Sequence, residues 1–169
     1  VCQVSLKGNI QIIKENLIQF NKFYNTPNFY IICPSKEVQI FKSKLKFNNI
    51  KIINEKQIIS FKEFKKFANF YLKNTNYKNQ IQNRLSWYYQ QVLKITFILD
   101  FVIKNKNSMI IWDADTIILK KIKFFNNDAS IRYGTTGEFH KAYYLTNNKI
   151  LRKLPKYYIS SLTQFTSLN

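Results

Sequence analysis

Residues 109–115 read Met-Ile-Ile-Trp-Asp-Ala-Asp, a short apolar run closed by two acidic residues. Four large apolar residues in a row are too few for a helix and predict a buried strand, Met109–Trp112. The segment before it, 84–104, is the longest helical pattern of the chain, with apolar residues at positions 88, 92, 95, 99 and 102. A long helix followed by a buried strand is the repeating unit of an α/β layer.

The same alternation of strand and helix extends towards the N-terminus. Compact apolar runs predict strands, and apolar residues at spacings of three and four predict helices. We therefore predict an α/β fold, with a mainly parallel sheet flanked by helices, as one domain spanning 1–169. The predicted strands are Val1–Leu6, Phe29–Cys33 and Ile50–Ile53, and the predicted helices are 9–24, a short helix around 38–45, and 61–71.

The composition describes a folded and strongly basic chain. Its 169 residues are 46% apolar and 17% aromatic, which excludes intrinsic disorder. The net charge is +18, from 27 basic and 9 acidic residues. However, 24 of the basic residues are Lys and they are spread evenly, whereas recognition of base edges favours Arg. We expect no specific nucleic-acid partner, and a basic nucleic-acid-binding module stays open as an alternative function.

Compartment and membrane signals are few. Cys2 and Cys33 are too few for a zinc site or a disulfide framework, so we expect buried free thiols. The longest apolar run, 95–103, contains Asp100 and is too short to span a bilayer. No secretory signal is recognised. We predict a cytoplasmic protein whose positive charge allows peripheral contact with an anionic membrane.

The two acids after Trp112 are the strongest chemical signal. Asp113 and Asp115 interrupt an apolar segment, and carboxylates are costly to place there without a partner. On a strand, positions i and i+2 face the same side, so both could meet one cation, and such oxygen ligands suit Mg²⁺ or Mn²⁺. The chemistry that fits is a metal-held diphosphate. The alternative is a structural pair, either bound by Lys120 or Lys121 or capping a turn.

A second motif accompanies this one and completes a family resemblance. Residues 110–116, Ile-Ile-Trp-Asp-Ala-Asp-Thr, resemble the DxD segment of GT-A-type glycosyltransferases. Residues 87–94, Trp-Tyr-Tyr-Gln-Gln-Val-Leu-Lys, resemble the W-x-x-Q-Q-x-x-K helix of a bacterial family of glycosyltransferase-like proteins. The order of further segments, 29–34, 137–140 with Tyr143, and 160–165, also matches that family. The resemblance covers most of the chain.

The resemblance implies a GT-A fold and a transferase that uses a nucleotide-diphosphate sugar. By analogy Asp115 would be the main metal ligand, and Asp113 would contact the metal or the ribose. Gln90 and Gln91 would point towards the nucleotide sugar. Such enzymes complete the acceptor site far downstream, and this chain ends 54 residues after Asp115 (169 minus 115). We therefore expect a fold incomplete at its C-terminus, lacking part of the acceptor region.

Four further residues have weaker signals. Glu138, beside Gly137, is the preferred catalytic base for an inverting reaction, with Asp128 as its alternative. Lys7 follows the first strand, where nucleotides often dock, although a solvated lysine is the simpler interpretation. His140 is the single histidine, and an ordinary polar contact is its default role.

The remaining expectations concern packing. Adjacent residues of a helix face different directions, so we expect at most one of the two glutamines to line a site while the other packs or caps. Trp87 is expected in the core or in a pocket wall, Trp112 in the core, and Asp100 in a structural role.

We predict a metal-dependent glycosyltransferase that acts on a glycan or lipid-linked acceptor. A metal-dependent nucleotidyltransferase or phosphoesterase would use the same acids, and a truncated, inactive domain is a further alternative.

Overall fold

A computed structural model describes residues 1–25, 27–72, 83–105, 109–124 and 165–168 of the chain. These residues form an α/β structure. The strands are β1 (Cys2–Val4), β2 (Phe29–Cys33), β3 (Ile50–Asn54), β4 (Met109–Trp112) and β5 (Phe165–Leu168). The helices are α1 (Ile10–Phe23), α2 (Val38–Lys44), α3 (Phe61–Leu72) and α4 (Leu85–Asn105).

The sheet has the strand order β3-β2-β1-β4-β5. The first four strands are parallel, and β5 pairs antiparallel with β4. The predicted α/β fold with a mainly parallel sheet is confirmed. The chain builds outward from β1 to β3 and then crosses back to place β4 on the other side of β1. This reversal opens a crevice at the carboxyl ends of β1 and β4, where ligands bind in open α/β sheets.

Helices α4 and α1 cover the sheet with apolar side chains that alternate along the strands. On the α4 side, Cys2, Ile32 and Met109 pack with Leu93 and Ile98 in one buried cluster.

On the α1 side, the ring of Phe20 stands edge-on to Phe29 and Trp112, with centroids 5.3 and 5.2 Å away. Trp112 is buried, as predicted. Strands β2 and β4 are thus contacted from both faces of the sheet.

The predicted elements match the structure closely, and the differences are local. Strand β1 is shorter than predicted, and residues 7–9 form a single 3₁₀ turn before α1 begins at Ile10. The apolar segment 116–119 has no regular secondary structure, although it reads like a strand. The polar stretch 73–83, which is typical of a loop, lies outside the described residues except for its last position.

The chain divides into two compact units, Val1–Lys121 with Phe165–Asn169, and Ile122–Gln164. All the helices and strands named above belong to the first unit. In the second, the described residues 122–124 have no helix or strand. Among the described helices, none is long and apolar enough to pass through a lipid bilayer.

Candidate functional site

A cavity of about 270 Å³ lies at the carboxyl ends of β1 and β4. Three parts of the chain line it: the end of β1, the turn after β4, and one face of α4. Because it lies where the strand order reverses, it occupies the position expected of a ligand site in this fold. The lining residues are Val4 at the end of β1, Ser5, Leu6 and Asn9 after it, Asp113, Ala114 and Asp115 after β4, and Trp87, Gln90, Gln91 and Lys94 on α4.

The α4 residues of the cavity lie at positions i, i+3, i+4 and i+7 from Trp87, which form one stripe along a helix. Both Gln90 and Gln91 line the cavity, so the expectation that one of them would be turned away is wrong. The stripe covers about 100° of the helix circumference, and this arc is wide enough to include two adjacent positions. Trp87 is half-exposed in the pocket wall, one of its two predicted places.

The two acids lie in a turn. Strand β4 ends at Trp112, and the Thr116 N–H donates to the Asp113 carbonyl at 3.2 Å. The prediction that both carboxylates project from a strand is therefore wrong. The turn nevertheless places Asp113 and Asp115 on the same cavity, Asp113 partly buried and Asp115 exposed.

A buried amide on α1 holds the chain that follows the acids. The Asn16 side chain is fully buried; its Nδ2 donates to the Thr116 carbonyl, and its Oδ1 accepts the Ile118 N–H at 3.2 Å. The Trp112 Nε1 donates to the same Thr116 carbonyl at 2.7 Å. The acidic turn is thus anchored by side chains from a helix and a strand, which limits its freedom to move.

Lys94 is the ion-pair partner of the first acid. Its Nζ lies 2.6 Å from Asp113 Oδ1, and its side chain is 8% exposed against 43% for Asp113. The structural alternative named Lys120 or Lys121 as the partner of the acids. The partner of Asp113 in the structure is instead Lys94. A buried ammonium is costly without a partner, so Asp113 stabilises Lys94, and Lys94 in turn orients Asp113.

The carboxylates of the cavity suit a cation that binds together with the phosphate groups of a substrate. Within the described ranges, no three His, Cys, Asp or Glu side chains are placed to hold a metal ion. Two carboxylates do face the cavity, and Mg²⁺ is commonly bound through one or two carboxylates together with substrate phosphates. Asp115 and the Asp113 oxygen not paired to Lys94 provide such donors.

Other predicted residues are placed elsewhere. Lys7 is exposed and does not line the cavity; its backbone N–H donates to Glu37 Oε2 at 2.7 Å. Asp100 pairs with Lys104 on the surface of α4, which is the structural role expected of it. The predicted residues Glu138, Asp128 and His140 lie outside the described residues.

A second cavity of about 270 Å³ adjoins the first and shares Val4, Ser5, Leu6 and Gln90 with it. Its other walls are mostly apolar and include Ile32, Pro34 and Phe61. Tyr89 also lines it, and the Tyr89 hydroxyl donates to the Ile59 carbonyl at 2.7 Å. Burial raises the pKa of this phenol, with Glu55 adding to the effect, so it stays neutral.

The comparisons with known proteins give one match. The model of a protein family matches residues 5–166, which include every residue of the first cavity except Val4. The chain belongs to this family, DUF6492, a family of unknown function. A search of curated proteins found no match to the chain, and a search of solved structures found none.

The structure of this DUF6492 chain also reveals site residues that sequence reasoning missed. Lys94 belongs to the motif at 87–94, but the sequence alone assigns it no role. Its spacing from Gln90 and Gln91 was the signal that could have identified it, because all three share one helix face. Ser5 and Asn9 had no signal beyond following the first strand, and Asn16 had none, since its contacts lie 100 and 102 residues away.

Proposed function

We propose that this chain binds a nucleoside-diphosphate sugar together with Mn²⁺ or Mg²⁺ and transfers the sugar to a glycan or lipid-linked acceptor. The observation that carries the proposal is the acidic turn of Asp113 and Asp115 at the crevice between β1 and β4, facing Lys94. The sequence resemblance to GT-A-type glycosyltransferases supports the choice of sugar transfer among reactions that use two acids and a cation.

The cavity offers the groups that a diphosphate needs. Asp113 and Asp115 would hold the cation, which when bound neutralises charge on the departing diphosphate. Lys94 supplies a fixed positive charge beside them. The side-chain amides of Gln90 and Gln91 can donate to phosphate or sugar oxygens. Since these groups are already in place, charge that develops on the leaving group is stabilised without rearrangement of the site.

The second cavity would take the nucleobase. Its walls are mainly apolar, which suits a flat ring, and Ser86, Gln90 and Glu55 add polar groups to its lining. It shares the end of β1 with the first cavity, so one nucleotide could occupy both. The acceptor hydroxyl would attack the anomeric carbon while the bond to the diphosphate breaks. For an inverting reaction, Glu138 stays the predicted base for the hydroxyl proton.

The proposal extends to the cell compartment. The two free, buried cysteines are compatible with a reducing compartment, and we propose that the protein acts in the cytoplasm.

Calorimetry with UDP, GDP and CDP, each with and without Mn²⁺, tests the proposal. We expect one diphosphate to bind at least about tenfold more tightly with the cation, a coupling of about 1.4 kcal/mol. Asp115→Ala should abolish this gain, because the exposed acid is the donor not engaged by Lys94. Asp100→Ala is the matched control, since it removes an exposed acid outside the first cavity.

Equal, weak binding of all three nucleotides, unchanged by metal or mutation, would contradict the proposal and leave only attraction between lysines and phosphate. The matching sugar donor then separates the reaction classes. Release of the nucleoside diphosphate indicates glycosyl transfer. Release of pyrophosphate or a nucleoside monophosphate would instead indicate the nucleotidyltransferase or phosphoesterase alternative.

A further inference from the structure

Helix α3 is a surface helix with large aromatic side chains in solvent. Phe67 is 60% and Phe70 is 74% exposed. The helix is attached to the rest of the unit through Phe61 and Phe64, whose rings lie 5.1 and 5.4 Å from that of Tyr89 on α4. Phe67 and Phe70 are three residues apart and therefore lie on one flank of the helix, beside the attached face.

The charges of α3 have one dominant sign. Lys62, Lys65 and Lys66 are all exposed, and Glu63 is the single acid of the helix. Glu63 is used at the helix start: its Oε2 accepts the Ser60 N–H at 2.9 Å and the Ser60 hydroxyl at 2.6 Å. These hydrogen bonds lower the pKa of Glu63. The outer surface of α3 therefore presents three exposed ammonium groups and two exposed rings.

We propose that α3 docks this protein onto an anionic lipid surface, with Phe67 and Phe70 entering the headgroup region. We refer to these two rings and to Lys62, Lys65 and Lys66 as the docking surface. Helices that lie on membranes combine lysines on the polar side with exposed Phe or Leu, and anionic lipids attract the lysines. The net charge of +18 adds long-range attraction of the same sign.

The observations favour a lipid surface over other anionic partners. Nucleic acids recognised through stacked bases usually involve Arg as well as aromatic residues, and α3 contains no Arg. The inference is independent of the proposed function, because no residue of the docking surface lines the first cavity. Phe61, at the start of the same helix, lines the second cavity, so docking through α3 would bring that cavity close to the lipid.

Co-sedimentation with vesicles tests the docking surface. We expect the protein to bind vesicles that contain phosphatidylglycerol and not vesicles of pure phosphatidylcholine. Replacing both rings, Phe67→Ser with Phe70→Ser, should weaken binding by about tenfold or more, because the inserted apolar area is lost. Replacing Lys62, Lys65 and Lys66 by Gln should weaken it by a similar or larger factor.

The matched control replaces Lys36, Lys42 and Lys44 by Gln, which removes three exposed charges on and beside α2. If this control weakens binding as much as the α3 variants, the attraction is a general effect of charge and the proposal is wrong. It is also wrong if the double Phe variant binds as the wild type does. Circular dichroism of each variant verifies that helix content is retained.

Ring insertion has its own test. Phe67→Trp should be quenched by lipids with brominated chains, whereas Ile18→Trp, at an exposed site on α1, should not. Light scattering without vesicles tests whether a second copy of the chain binds the docking surface instead. If the double Phe variant converts a dimer into a monomer, the rings bind a second copy of the chain and the lipid proposal is overturned.

Discussion

Lys94 and Asp113 form an unequal ion pair, because the ammonium is buried and the carboxylate is half in solvent. The two partners therefore respond differently to loss of the other. A carboxylate that keeps access to water can be hydrated after its partner is removed. An ammonium that is almost fully enclosed cannot, and its desolvation then counts against folding.

We expect Asp113→Ala to lower the free energy of unfolding by about 2 kcal/mol. The effect is smaller than for a fully buried pair because solvent reaches Asp113. Lys94→Met should cost less than about 1 kcal/mol, since the aliphatic stem is retained and Asp113 stays hydrated. Urea denaturation measures both values. Asp100→Ala, on the exposed pair with Lys104, should change little. Equal losses in the free energy of unfolding for Lys94→Met and Asp113→Ala would contradict this account.

The two cysteines predict how stability depends on pH. Burial raises the pKa of Cys2 to about 12 and that of Cys33 to about 11, the latter with help from Glu37 and Glu55. Both thiols ionise near pH 9 in the unfolded chain. Between pH 9 and 11 the unfolded state therefore holds fewer protons than the folded state, and the free energy of unfolding falls as pH rises.

Urea denaturation at several pH values from 8 to about 10.5 measures this slope, and a Cys33→Ala variant should show a shallower one. The same slope in both proteins would contradict the assignment. In the folded protein both thiols should resist alkylation at pH 8.

At the scale of elements, α1 takes part in the site without reaching the cavity with its inner residues. Its buried Asn16 binds the Thr116 carbonyl and the Ile118 N–H, and so holds the segment that follows the acidic turn. Two polar backbone groups of an irregular segment are satisfied by one side chain. The position of the acids therefore depends on how α1 packs against the sheet.

We expect Asn16→Leu to lower the free energy of unfolding by about 2 kcal/mol, because the Ile118 N–H loses its acceptor in a buried place. The Thr116 carbonyl keeps the Trp112 Nε1, which limits the loss. Gln11→Leu, at an exposed site on the same helix, is the control and should be close to neutral. Urea denaturation compares the two. Similar stabilities would mean that Asn16 does not anchor the turn.

The elements could be predicted from the sequence because their signals are local. The apolar spacing of α4 and the compact run of β2 each specify one kind of structure within a few residues. The turn at Asp113 could not be told from a strand, since apolar residues continue on both sides of it. The same limit hid the partners of the acids. Lys94 is 19 residues from Asp113, and Asn16 is 100 from Thr116, so only the assembled sheet brings them together.

At the scale of the whole molecule, the N-terminal strand lies in the interior of the sheet. Strand β1 pairs with β2 on one side and with β4 on the other. The candidate site is built around this strand, from its carboxyl end, the turn after β4 and the face of α4. Position in the sheet, rather than proximity in sequence, is what assembles the site.

This placement of β1 has a consequence for synthesis on the ribosome. The chain can pair β1 with β2 early, but β4 ends 79 residues after β2 (112 minus 33). At about 5–20 residues per second, the nascent chain spends roughly 4–16 s with one edge of β1 uncovered. Such an edge is a template for pairing with other chains. Strand β1 is three residues long, so its uncovered edge offers another chain few backbone groups for pairing.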